Sequence, residues 1–184
     1  TWLSVDASPD GSWMVFDLVG HIYRAPTSGS GEAVCLTQDA GISMNYMPRI
    51  SPDGRTIAFV SDRKGQANLW IMDADGANPK AVFTDRNVRA SLPAWTPDGE
   101  YIVFKRSPVG GGAAPGGGGI WMIHRDGGDG VQLVTENAAT WPSVSPDGRY
   151  VYHQFSSGDA DALMGHFQVR RLDRRTGTVV DITS

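Results

Sequence analysis

Four copies of Ser/Thr-Pro-Asp-Gly pace this chain, at Ser8–Gly11, Ser51–Gly54, Thr96–Gly99 and Ser145–Gly148. They begin at positions 8, 51, 96 and 145, so they lie 43, 45 and 49 residues apart. A unit of that length matches one four-stranded propeller blade far better than an enzyme domain or a sheet–helix unit. Each copy is a turn with a physical cause. Proline presets the first central dihedral, the Ser or Thr hydroxyl bonds the turn, and glycine supplies the positive φ that returns the chain to a strand. Asp10, Gly11, Asp53, Gly54, Asp98, Gly99, Asp147 and Gly148 are accordingly read as structural turn residues.

Aligned on the turn, the repeats share one order of elements. A short apolar segment precedes it, Trp2 to Ala7 in the first repeat and Tyr46 to Ile50 in the second. A β-branched and aromatic run follows, such as Thr56-Ile57-Ala58-Phe59-Val60, and then a third run such as Asn68-Leu69-Trp70-Ile71-Met72. A glycine-containing turn leads to a fourth run that ends in a hydrophobe and Thr, as in Leu36-Thr37 and Phe83-Thr84. The period of two, with no helix-length periodic stretch, makes every run a strand. Phe16, Phe59 and Phe104, with Trp70 and Trp121 on the adjacent strand, are expected in the core between blades.

The fold class is therefore all-β: a β-propeller of four four-stranded antiparallel blades, at about 1–37, 44–84, 90–135 and 140–184 of a single domain. Four blades form either a closed four-bladed ring or half of a larger, eight-bladed one. An open arc leaves two apolar blade faces that demand a protein partner, either a second copy completing the ring or the remainder of a longer chain. Thr1 in place of Met is expected of a chain that is processed or cut from something longer.

Composition excludes several classes. Twenty acidic against sixteen basic residues give a net charge of -4, which offers no basic field for nucleic acid or an anionic membrane. The only basic clusters, Arg170-Arg171 and Arg174-Arg175, flank a turn-like Asp173 and read as a solvated hairpin. No apolar run approaches the length of a membrane helix. Cys35 is the single cysteine and reads as a small buried hydrophobe within an alternating strand.

Chemistry is thinly signalled. There is no HExxH, no GxSxG and no cysteine cluster. His21, His124, His153 and His166 fall on different blades or strands; His153 and His166 are potential neighbours, read as a surface cross-strand pair rather than a metal site. Asp73-Ala74-Asp75-Gly76 resembles the start of a calcium loop but lacks its closing Glu and falls at a hairpin turn. The glycine-rich stretch 107–119 lacks the Lys-Ser/Thr pair of a phosphate loop and is expected to be a surface loop or flap. No catalytic residue, metal ligand or cofactor is assigned. Binding is expected at the channel rim, where strand A and its loops place Asn45, Tyr46, Arg49, Arg89, Ser91, Thr140 and Trp141. Arg49 and Arg89 offer guanidinium forks for a carboxylate or a partner backbone, with pairing to turn aspartates as their structural alternative.

The string from Ser51 through Phe59, Trp70 and Met72 to Gly76 resembles the WD40-like repeat of the TolB family. Such repeats also occur in tricorn-type and prolyl-oligopeptidase-type peptidases and in the N-terminal part of large secreted bacterial amidohydrolases. The resemblance covers essentially the whole chain and is weakest in the fourth repeat, where 159–165 interrupts the connection between the second and third strands. Gly20-His21-Ile22-Tyr23, Met44-Asn45-Tyr46-Met47-Pro48-Arg49 and the glycine-rich loop before Ile120-Trp121 resemble the amidohydrolase-associated version most closely. This resemblance implies a scaffold or gate for a hydrolase domain, and a periplasmic or secreted protein. The alternatives are a free-standing TolB-like peptide- or protein-binding propeller and a small metal-dependent amide or peptide hydrolase.

Overall fold

The computed structural model describes residues 3–110, 118–157 and 166–183. Each repeat forms one antiparallel sheet in simple up-and-down order. Blade 1 holds β1 (Val5–Ala7), β2 (Trp13–Leu18), β3 (His21–Pro26) and β4 (Val34–Cys35). Blade 2 holds β5 (Asn45–Ile50), β6 (Thr56–Ser61), β7 (Asn68–Asp73) and β8 (Lys80–Phe83). Blade 3 holds β9 (Val88–Trp95), β10 (Tyr101–Pro108), β11 (Gly119–His124) and β12 (Val131–Val134). Blade 4 holds β13 (Ala139–Val144), β14 (Tyr150–Ser157), β15 (His166–Asp173) and β16 (Val179–Asp181). A single 3-10 turn at Gln38–Ala40 links the first two blades. The central part of the glycine-rich stretch, 111–117, and the interruption 159–165 lie outside the described residues.

The four Pro-Asp-Gly turns are built alike. Ser8, Ser51, Thr96 and Ser145 donate a hydroxyl hydrogen bond of 2.5–2.6 Å to the turn aspartate. The same hydroxyls accept the backbone N–H of Trp13, Thr56, Tyr101 and Tyr150, which fixes where the second strand begins. Glycine is required by the backbone, since its φ is about +70° in every copy. In the last three copies it also lies beside the proline of the preceding turn: a Cβ at Gly54 would stand 3.5 Å from Pro9, and one at Gly148 3.7 Å from Pro97, both ordinary contact distances.

Consecutive blades meet in apolar seams. Val15 and Ile22 of blade 1 pack on Ile57, Phe59, Trp70 and Met72 of blade 2. Ala58, Leu69 and Ile71 of blade 2 pack on Ile102, Phe104 and Ile123 of blade 3. Val103 and Ile120 of blade 3 pack on Val151 and Leu172 of blade 4. Period-two alternation thus gives each blade a leading face toward its predecessor and a trailing face toward its successor. Arginines tie neighbours at the rim: Arg24 bonds the Ala74 carbonyl and Arg125 the Thr56 hydroxyl.

The arc is open. No core joins blade 4 to blade 1 among the described residues. Of the two ring geometries expected, the closed four-bladed one is therefore not formed. Phe16 occupies the same place in its repeat as the fully buried Phe59 and Phe104, eight residues past the turn hydroxyl. It lies on the uncovered leading face, half-buried against Tyr23 with ring centroids 5.6 Å apart. Cys35 is likewise half-buried rather than in the core, because it shares the cross-strand row of Tyr23 on that open face. At the other end Val169 is 40% exposed, whereas its counterparts Ile22, Leu69 and Ile120 are 0% exposed.

Candidate functional site

The innermost strands converge on the axis of the arc, and three of them carry the same distortion. Pairing of β5 with β6 skips one residue between Tyr46 and Arg49, and equivalent shifts occur in β9 and β13. The extra residue sits at Met47-Pro48, Leu92-Pro93 and Trp141-Pro142. Met47, Leu92 and Trp141 have φ of 55°, 55° and 51°. A non-glycine residue in the left-handed region is strained, and a following proline restricts it further. The proline brings no N–H that the bulge would leave unpaired. The strain is held by neighbouring blades: the buried Asp17 carboxylate accepts the N–H of Met47 at 2.6 Å and that of Ser4 at 3.1 Å. Leu92 N–H meets the Met47 sulfur at 3.3 Å.

These bulges border two cavities stacked along the axis. One, of about 780 Å³, is walled largely by apolar groups including Val5, Val19, Met44 and Met47. The other, of about 530 Å³, lies on the side of the Pro-Asp-Gly turns, where Pro9 and Pro52 line it. Arg49, Leu92 and Trp141 line both and so form the waist between them.

Of the seven rim residues read from the sequence, Asn45, Tyr46, Arg49, Ser91 and Trp141 surround the larger cavity. Arg89 and Thr140 are not in its wall; Arg89 is exposed, and the Thr140 hydroxyl reaches Gln154 at 3.4 Å. Arg49 does not pair with a turn aspartate: its Nη1 donates to Ser4 Oγ and to the Pro48 carbonyl, both at 2.7 Å. Asn45 is fully buried and ties its strand to blade 1 and to the loop after β6, donating to the Gly20 and Ser43 carbonyls and accepting from Arg63. Burial, helped by nearby Asp62, raises the pKa of the Tyr46 phenol, so it acts here as a neutral group.

The histidine pair does not form as expected. The register sets His153 opposite Arg170, while the His166 backbone pairs with Ser157. The side chain of His166 lies outside the described residues. His153 is buried in the seam between blades 3 and 4, its Nδ1 3.4 Å from the Gln154 carbonyl and its Nε2 without a partner. Lys105, from the facing side of that seam, is 5% exposed and donates to the Asn137 backbone carbonyl. Burial pushes its pKa down to about 8. Among the described residues no three His, Cys, Asp or Glu gather to hold a metal ion. The Asp73–Gly76 segment is a hairpin turn, with Gly76 at φ 91°.

The left-handed bulges and the Asp17 clamp were not anticipated. Their signal is present, because an X-Pro pair stands four residues ahead of the turn hydroxyl in the last three repeats and is absent from the first.

Comparison with known proteins agrees with this geometry. An uncharacterised peptidase, YuxL, of Bacillus subtilis is 42% identical over 83 residues, which cover 45% of this chain and 12% of the relative. TolB from Acinetobacter baumannii superposes with a TM-score of 0.72 at 20% identity, covering 99% of this chain and 43% of that one. A puromycin-hydrolysing peptidase of Mycobacterium tuberculosis superposes with a TM-score of 0.70 at 15% identity, covering 98% of this chain and 29% of that one. The chain thus spans less than half the length of these proteins, and it resembles propeller domains found within larger multidomain peptidases. The family profile of the TolB beta propeller domain matches residues 6–177, and the chain belongs to that PD40 family.

Proposed function

We propose that these blades are a non-catalytic propeller module that supports or gates a hydrolase domain of the kind its relatives carry. The observation that carries this reading is the axial passage. It is walled largely by apolar groups and strained X-Pro bulges and narrowed at Arg49, Leu92 and Trp141, and its Asp17 is engaged by the Met47 and Ser4 N–H groups. Strain held at a constriction supports a role in positioning or admitting a chain rather than in making or breaking bonds. The family resemblance favours an exported protein, in the periplasm or secreted.

The test is turnover. The purified chain, offered amide and peptide substrates with and without added zinc, is expected to hydrolyse none. Turnover that persists through purification and disappears in His153→Ala would establish the small hydrolase instead.

A second reading, a free-standing TolB-like module that binds a peptide across the axis, is favoured by Arg49 standing beside apolar Leu92 and Trp141. Titrating unstructured peptides against indole fluorescence separates the two. Saturable micromolar binding that is lost in both Trp141→Ala and Arg49→Ala supports the free-standing binder, and its absence supports the gate.

A further inference from the structure

Where the outermost strand of one blade meets the next blade, the rim of the arc carries a groove, and the three grooves can be compared position by position. Val34, Lys80 and Val131 are equivalent, paired in register with Arg24, Ile71 and Met122 of the third strand. On the facing blade Arg55, Glu100 and Arg149 are equivalent, since their carbonyls accept the N–H groups of Ala74, Arg125 and Arg174. The residues that follow those three are Asp75, Asp126 and Arg175.

In the first two grooves the earlier blade sends a cation across to the later one. Arg24 of blade 1 reaches the Ala74 carbonyl at 3.1 Å. Lys80 of blade 2 reaches Asp126 at 3.4 Å, where Glu100 is also matched by His124. In the third groove blade 3 sends no charged group across. Val131, 58% exposed, stands where Lys80 stands, and Arg175 stands in the place of Asp126.

A cavity of about 430 Å³ lies there, with Met122, Val131 and Leu133 on one wall and Arg149, Arg174 and Arg175 on the other. Asp147 also borders it, but its carboxylate is held by the Ser145 hydroxyl and the Arg149 N–H, and the Arg149 guanidinium is spent on Asp173 at 2.6 Å. Arg174 gives Nη1 to the Gly148 carbonyl, and its Nη2 meets only the Met122 sulfur at 3.3 Å. Among the described residues neither Arg174 nor exposed Arg175 is ion-paired, so two guanidinium groups face an apolar wall in a chain whose net charge is -4. Along that wall runs β12, the outermost strand of its sheet. It reads Val-Gln-Leu-Val, without the charge that Lys80 brings to β8 and Asp181 to β16, and without a proline to guard its edge.

We propose that this groove docks an extended segment of a partner protein, which adds as a further strand along β12 and turns carboxylates and an apolar side chain toward the groove. The carboxylates meet Arg174 and Arg175, the apolar residue packs on Met122 and Leu133, and the backbone pairs with the open edge of β12. The apolar wall and the strand edge favour a polypeptide over a phosphate-bearing polymer, which would use the arginines alone.

Calorimetry with a capped heptapeptide, Thr-Glu-Thr-Val-Thr-Glu-Thr, tests this on the chain as it is. Saturable binding is expected, and a peptide with lysine in place of both glutamates should not bind. Val131→Lys combined with Arg175→Asp transplants the ion pair of the second groove and should weaken binding about tenfold or more. Both positions are exposed, and far-ultraviolet dichroism checks that the variant remains folded. Amide hydrogen exchange supplies the backbone readout, because strand addition should slow exchange within 131–134. Absence of saturation up to about 1 mM would overturn the proposal. So would equal binding of the lysine peptide, a transplant variant as tight as the parent, unchanged exchange in β12, or a DNA hexamer that binds the groove more tightly than the peptide.

Discussion

The seams between blades 2 and 3 and between blades 3 and 4 are built on the same register, yet they differ at two facing positions. Nine residues past the turn hydroxyl, blade 2 presents Val60 toward blade 3, while blade 3 presents Lys105 toward blade 4. Eight residues past it, blade 3 presents Phe104 backward, while blade 4 presents His153. All four side chains are buried. At these positions the first seam removes only apolar surface from water. The second also desolvates an amine and an imidazole, whose pKa values are both lowered by burial. Equal depth therefore does not mean equal strength. At these two positions the joint that holds blade 4 titrates with pH, and the one between blades 2 and 3 does not.

The largest effect is expected at the apolar member of this pair of positions. Phe104→Ala should cost about 3–5 kcal/mol in urea unfolding, since the ring is fully buried against Phe83 and the rest of the blade 2 core. His153→Ala should cost less than half as much, because the imidazole gives up hydration and leaves Nε2 unpaired. Equal costs would mean that the two seams are equivalent and that the contrast is only chemical.

Lys105→Met should raise stability. Unfolded, the amine has a pKa near 10.5; folded, it is lowered to about 8. Between those values the unfolded chain holds a proton that the folded chain has released, so native stability climbs as pH rises from 8 to 10.5 and is at its lower plateau below 8. Methionine removes that cost. A gain of about 1–3 kcal/mol at pH 7, shrinking to nothing by about pH 10.5, is the expected result. A loss at pH 7 would show that the bond to the Asn137 carbonyl outweighs desolvation.

What the sequence makes legible follows from how local each cause is. The turns are read completely, because Ser51, Pro52, Asp53 and Gly54 contain their own hydrogen bonds and their own backbone demand. Strand order and alternation follow from the apolar period, so Phe59 and Phe104 are placed in seams from sequence alone. Phe16 carries the same pattern, yet among the described residues no blade packs on its face and it is half-buried. At the candidate site, Arg49 and Trp141 are found by topology, since innermost strands border an axis. The waist that they form with Leu92 is not found. It depends on a left-handed residue before proline, a combination that local propensity argues against and that neighbouring blades enforce through Asp17 and the Met47 sulfur.

His153 tests the polar seam from the acid side. Burial holds its pKa below the ordinary imidazole value; the Gln154 carbonyl and Glu136 act against that, and Arg170 acts with it. The group that is neutral in the fold takes up a proton more readily once unfolded, so stability should fall as pH drops through 6.5 and go on falling until the folded pKa is reached. His153→Phe restores the residue type of the other three repeats. It should add up to about 1 kcal/mol at pH 7 through apolar burial, and it should flatten the melting-temperature profile between pH 7 and 5. A profile as steep as that of the parent would place the acid sensitivity elsewhere.

The smallest effect is expected at a turn, where nothing distinguishes one seam from another. The Ser51 hydroxyl, followed by the Arg55 N–H, holds the Asp53 carboxylate below its ordinary pKa, with Arg125 and Arg55 adding a weaker charge effect. A depressed carboxylate contributes stability that is present above its unfolded value near 3.8 and lost as pH falls through the lower folded value. Asp53→Asn keeps an acceptor oxygen for both donors, so at pH 7 it should cost only about 0.5 kcal/mol. Its signature is in the acid limb, where the variant should unfold less steeply below pH 4. Asp98→Asn, in the equivalent turn of blade 3, should behave identically, because Thr96 and Glu100 N–H repeat the same two bonds. If the two variants diverged, the turns would be sensing their seams after all, and the pH dependence assigned to Lys105 and His153 would have to be shared with them.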